Sequence, residues 1–228
     1  MTKAIEGGSP LPALTLDALK SSARDFLASM AATPQGLFGV TDGKAVGTHV
    51  EHAFHQHLSH LFTYEQGNSA NGIDFPSVEV DLKVTSVRQP QSSCPFHNAR
   101  EKVYGLGYHL MVLVYDKTDD QAARKSILTF PHAIFVSRER TGDYVTTSKL
   151  RDLLGAGANK EDIIGFLEDR NLPLDEIGRN ALAEEIMRSE PSIGYLTISN
   201  ALQWRLQYSR AIEFANMPQR TGVETLLA

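Results

Sequence analysis

Apolar residues first recur at helical spacing. Leu16, Leu19, Ala23, Phe26 and Leu27 follow Thr15, a residue suited to capping, and predict a helix to about Met30. A connection containing Gly and Pro over residues 34–47 leads to a second predicted helix, 48–62. There Val50, Phe54, Leu58, Leu61 and Phe62 form one stripe. The period then changes. After the loop-like GNSANGIDFPS of residues 67–77, the run VEVDLKVTSV alternates Val78, Val80, Leu82 and Val84 with Glu79, Asp81, Lys83 and Thr85. A period of two predicts a strand with one buried face. Residues 88–95 read as a polar loop and 96–106 as a helix. Residues 109–115 read as a strand buried on both faces, and 127–136 as a strand distorted near Pro131. From about Thr146 the pattern is helical, in segments near 148–154, 160–169, 174–188 and 199–216. The order is helices, a strand–helix–strand–strand centre, then a helical tail: a mixed α/β protein.

Composition narrows the class. A chain of 228 residues supports one sizeable core with a small appended subdomain. Hydrophobic residues at 42% and charged residues at 21% exclude a disordered or fibrous protein. The longest apolar run, residues 110–115, falls far short of the roughly 20 a spanning helix needs. Nothing before Pro12 resembles a signal peptide, so the expected location is cytoplasmic, with no membrane partner. A single cysteine, Cys94, excludes an intrachain disulfide and a thiolate zinc cage. A net charge of -5 argues against a strongly basic polyanion binder. It leaves room for a nuclease, because a site that gathers divalent metal needs carboxylates.

The chemically loaded segment is DFPSVEVDLK, residues 74–83. Asp81 and Lys83 stand two apart on a strand and leave the same face, while Val80, Leu82 and Val84 anchor the other. Asp74 lies just upstream, across a turn at Phe75 and Pro76, from where its carboxylate can fold back onto Asp81. Two converging carboxylates make a hard-oxygen site suited to Mg²⁺, with Mn²⁺ as a substitute. A lysine beside them orients an attacking water and stabilises developing negative charge, as phosphodiester hydrolysis requires. Asp-x-Lys alone is most often a solvated strand face. The upstream acid, the Asn-Gly turn and the continuously apolar opposite face shift the balance.

This segment resembles the PD-(D/E)xK nuclease superfamily, which includes many type II restriction endonucleases. Asp74 matches the first acid, Asp81 the second and Lys83 the lysine; Ile73 stands where the written pattern has proline. Glu51, on the preceding helix, matches a further acid that the superfamily often supplies. The resemblance covers roughly residues 47–136. It implies a restriction-endonuclease-like core, a central mixed β-sheet flanked by helices, over residues 1–145, and a C-terminal helical subdomain over 146–228. It also implies Mg²⁺-dependent, sequence-specific cleavage of double-stranded DNA to 5′-phosphate ends by a homodimer. Asp74, Asp81 and Glu51 would hold the metal. A repair or structure-specific nicking enzyme and a non-catalytic DNA-binding regulator are the alternatives.

Candidate DNA contacts lie in two places. Arg88, Gln89, Gln91, Ser92 and Ser93 follow the Asp81 strand, and Asn98 and Arg100 continue the acid-poor trend. On the predicted last helix, Trp204, Tyr208, Ala211, Ile212 and Ala215 make an apolar face. Asn200, Gln203, Gln207 and Arg210 make a polar one without an acid, suited to base edges in a helix-turn-helix-like unit or to dimer packing. Five histidines, His49, His52, His55, His57 and His60, crowd the second helix without an HExxH pattern.

Overall fold

The apolar run at residues 110–115 lies in the strand that organises the molecule. In the computed structural model, which describes residues 10–67, 72–93, 98–199 and 205–227, this strand is β3 (His109–Asp120). It sits inside a four-stranded mixed sheet. β1 (Val80–Ser86) pairs with it in parallel, β4 (Lys125–Val136) antiparallel, and β7 (Val223–Thr225) adds to β4, in the order β1-β3-β4-β7. Met111, Leu113 and Tyr115 enter one core with α1 (Leu16–Ala31) and α2 (Gly43–Ser59). Leu110, Val112 and Val114 enter a second, with Tyr208 and with Ile212 of α7 (Ser209–Ala215). The run is therefore apolar throughout because both its faces are covered. A mixed sheet flanked by helices agrees with the α/β class expected from the sequence.

A bulge marks Pro131. Val114 pairs with His132 and Asp116 with Thr129, so Phe130 and Pro131 together oppose Tyr115. Proline has no N–H for the ladder, and the bulge places it where none is needed.

A third core joins α3 (Arg100–Tyr104), α4 (Tyr144–Gly155), α5 (Lys160–Asp169) and α6 (Glu176–Arg188) through Val103, Leu150, Ile163, Leu167, Leu182 and Ile186. Buried Asp143 ties this layer to the rest. Its carboxylate caps α4, accepting from the Thr146 N–H at 2.8 Å and hydroxyl at 2.7 Å, and accepts from the Ile198 N–H at 2.8 Å. Nearby, Gly194 passes so close that a Cβ there would lie 2.0 Å from the Gly142 carbonyl oxygen, so only glycine fits.

Four expectations are corrected. α2 starts at Gly43, not 48, because Asp42 caps it by accepting from the Lys44 N–H at 3.0 Å. Gly47, placed in the connection by the sequence, is instead within α2 and faces Val84 of β1. Val78 and Glu79 lie outside β1, since Pro76 starts a 3-10 turn that Glu79 ends in the left-handed region (φ 54°). The polar loop at 88–95 contains a strand, β2 (Gln91–Ser93). The helix predicted over 199–216 is instead β6 (Arg205–Gln207) followed by the seven residues of α7. β6 runs between β2 and β5 (Thr197–Ile198) in a second, three-stranded sheet. Arg-Leu-Gln fits a period of two as well as a helical one, and pairing with β2 decides it. Among the described residues of this stretch, 205–207 are extended and only 209–215 are helical. Cys94, Asn200, Gln203 and Trp204 lie outside the described residues.

Candidate active site

β1 is an edge strand, and the chain before it folds back to cover that edge. The Phe75 N–H donates to the Val80 carbonyl at 2.9 Å and the Val80 N–H returns a bond to Phe75 at 3.2 Å. One step on, the Leu82 N–H donates to Asp74 Oδ2 at 2.8 Å. Phe75 is fully buried and holds this turn against Phe54 of α2. The fold-back expected for Asp74 is thus made by backbone pairing and one aromatic anchor.

Asp74 lies beside Asp81, close enough for its carboxylate to help raise the Asp81 pKa. Asp81 is only 2% exposed, although it alternates with the apolar residues of β1. Burial is the main cause that pushes its pKa up to about 7; Asp74 adds to the rise and Lys83 opposes it. Lys83 Nζ lies 2.7 Å from Asp81 Oδ2. That oxygen is buried and has no well-aligned hydrogen bond, so the contact is an ion pair with acceptor capacity left over.

These residues fit a small hard cation. Among the described residues no three His, Cys, Asp or Glu side chains gather closely enough to hold a metal. The chain offers instead two adjacent carboxylates and an unsatisfied buried oxygen. Mg²⁺ typically takes one or two carboxylates and keeps several waters, so this donor set suits it.

Glu51 projects from the flank of α2, half-buried. Its pKa is raised, first by burial and then by the charge of Asp74, with Lys83 and His52 opposing. Glu51 and Lys83 both line an open cleft of about 1010 Å³ that runs between the start of α2 and the second sheet. Asp81 lies behind Lys83 rather than on the cleft wall.

The other predicted residues divide clearly. Arg88, Gln89, Gln91, Ser92 and Ser93 line this cleft. Asn98 and Arg100 do not: the Asn98 side chain accepts from the Glu101 N–H at 3.3 Å, and Arg100 pairs with Glu185 of α6 at 2.6 Å. Gln207 is on β6, and Arg210 stacks over Tyr144, 4.1 Å from the ring centre. The histidines serve packing and local bonds. His49 meets Gln35 at 3.0 Å, His55 meets Tyr64 at 3.0 Å and stacks on Phe75, and His57 packs on Phe26. Lys44, Thr48, Lys117 and Arg205 also line the cleft and were not anticipated. Asp42-Gly-Lys44 was the available signal for the first two, being an N-cap motif; no local pattern marks Arg205.

Two carboxylates and a lysine at the edge of a mixed sheet are the arrangement that the resemblance to the PD-(D/E)xK nucleases implies. Comparison with known proteins narrows this further. Residues 13–225 match the family described as type II restriction enzyme NspV. The type II restriction enzyme NspV of Nostoc sp. (strain ATCC 29411 / PCC 7524) is 52% identical over 214 residues, which cover 93% of this chain and 96% of that relative. No solved structure matches. The chain belongs to the NspV family of type II restriction enzymes, site-specific deoxyribonucleases by class.

Proposed function

We propose that this chain cuts double-stranded DNA at one short sequence, with Mg²⁺, to leave 5′-phosphate ends. The observation that carries the reading is the contact of Asp74 with Asp81 beside Lys83, at the rim of a cleft. Family membership supports it. Asp74 and Asp81 would hold Mg²⁺, which would supply Lewis-acid stabilisation of charge on a phosphate oxygen. Lys83 places its ammonium where the cleft meets the carboxylates and steadies the water that attacks phosphorus and the charge that develops. Attack in line breaks the bond from phosphorus to the 3′ oxygen, leaving a 3′-hydroxyl and a 5′-phosphate. Glu51, with its raised pKa, acts on the cleft side as an auxiliary acid that supports the carboxylate pair.

A homodimer completes the proposal. A two-fold pair of chains sets two such centres on antiparallel strands, which one chain alone does not. The test is digestion of a plasmid and of a randomised duplex library. Wild type with Mg²⁺ should yield fixed ends at one motif, chelator should stop it, and Asp81→Ala should bind the motif without cutting. Cleavage by Asp81→Ala at the wild-type rate would remove the site, and scattered nicks would return the chain to the repair class. Sedimentation of the DNA-free and DNA-bound chain checks the dimer.

A further inference from the structure

The second sheet has two faces of opposite character. Its register pairs Gln91 with Gln207, Ser93 with Arg205 and Thr197 with Gln207, so these side chains share one face. Ser92, Leu206 and Ile198 share the other. That inner face is fixed: Leu206 and Ile198 are buried, and the Ser92 and fully buried Tyr208 hydroxyls lie 2.5 Å apart. The outer face carries two carboxamides, two hydroxyls and a guanidinium, and no acid.

These polar groups are not occupied within the protein. Among the described residues, the side chains of Gln91, Gln207 and Arg205 make no hydrogen bond, ion pair or ring contact. Four arginines elsewhere are paired with acids: Arg100 with Glu185, Arg138 with Glu79, Arg151 with Glu190 and Arg179 with Glu168. Gln91, Ser93 and Arg205 also line the same cleft as Lys83 and Glu51. A rigid strand pair, with unpaired forked donors and amides aimed into a cleavage cleft, has the chemistry to read base edges. Two strands fit the major groove, where Arg is bidentate to guanine and Gln to adenine.

We propose that the outer face of β2 and β6 reads the DNA sequence, and that Arg205 is its principal specificity-determining residue, selecting a guanine. This rests on the endonuclease reading above. It joins the two regions the sequence suggested, the segment after β1 and the C-terminal stretch, in one sheet rather than on a helix. A phosphate-binding arginine would strengthen binding to every duplex alike; a base-reading one acts only at its own position.

The experiment compares wild type, Arg205→Ala and Gln91→Ala on the wild-type motif, on all its single-base-pair variants and on unrelated duplex. For Arg205→Ala, cleavage of the motif should fall about 10- to 100-fold, and one G·C position should lose its preference. Affinity for unrelated DNA should stay within about twofold. Gln91→Ala should relax a different position, which keeps the test valid should Arg205→Ala prove unstable in a thermal melt. Equal weakening on all duplexes, or an unchanged preference at every position in both variants, would overturn the assignment. Failure of wild type itself to cut would instead strike the endonuclease reading, so the two outcomes are distinct.

Discussion

The two walls of the cleft use opposite physics. On the β1 side the important groups are buried and crowded: Asp81 is 2% exposed, lies beside Asp74 and abuts Lys83. On the β2–β6 side the important groups are half-exposed, acid-free and unpartnered. Desolvation gives the first wall its reactivity, because low polarity makes charge–charge terms large. Accessibility gives the second its selectivity, because a donor already bonded to the protein has nothing left to offer a base edge. One fold holds both because β1 runs directly into β2, with Thr85 bridging them: its hydroxyl donates to the Gln91 carbonyl at 3.0 Å and accepts from the Gln91 N–H at 3.2 Å.

The comparison breaks if a change on the first wall alters sequence choice, or one on the second alters rate alone. Lys83→Ala gives the largest effect in this pair of tests. Single-turnover cleavage should drop by about 10²- to 10³-fold, with preference along the motif unchanged. Glu51→Gln should lower the rate by about tenfold, in keeping with the role of a supporting carboxylate. The same variant should shift the alkaline or acid limb of the rate profile, which a purely structural residue would leave in place.

A thermal measurement sharpens the contrast. Folded Asp81 holds its proton up to about pH 7, whereas an unfolded aspartate loses it near 3.8. The folded state therefore binds a proton that the unfolded state releases, and this contribution is lost as pH rises through 7. In chelator, the melting midpoint should fall between pH 5.5 and 8. Asp81→Asn should flatten that slope, and Mg²⁺ at pH 8 should restore part of the wild-type midpoint. A slope identical in the variant would remove the proton from Asp81. The smallest effect belongs to the second wall: Ser92→Ala, deleting one partner of the Tyr208 hydroxyl, should cost about 1 kcal/mol in urea unfolding.

Legibility in the sequence followed locality. Asp74, Asp81 and Lys83 were readable because strand period and a nearby turn fix their relation within ten residues of chain. α1, α5 and α6 were readable too, each carrying a cap and a periodic stripe. The burial of Asp81 was not, since alternation assigns it to a polar face and only its pairing beside buried Leu110 of β3 puts it on a covered one. β6 was missed for the same reason: its neighbour β2 is more than a hundred residues earlier, and three residues carry too little periodicity to announce a strand. Arg100 looked like a DNA contact until α6 supplied Glu185. Local spacing shows which side chains stand together; it does not show which of them a distant segment has already taken.

The turn carrying Asp74 has one more consequence. An outer strand presents a row of open backbone groups, onto which another molecule can add as a further strand. Here the Phe75 backbone and the Asp74 carboxylate occupy Val80 and Leu82 on that side. The aspartate proposed for the chemistry thus also closes the sheet edge against self-association. An inert variant intended for co-crystals with DNA is therefore better made at Asp81, where silencing the enzyme leaves its margin closed.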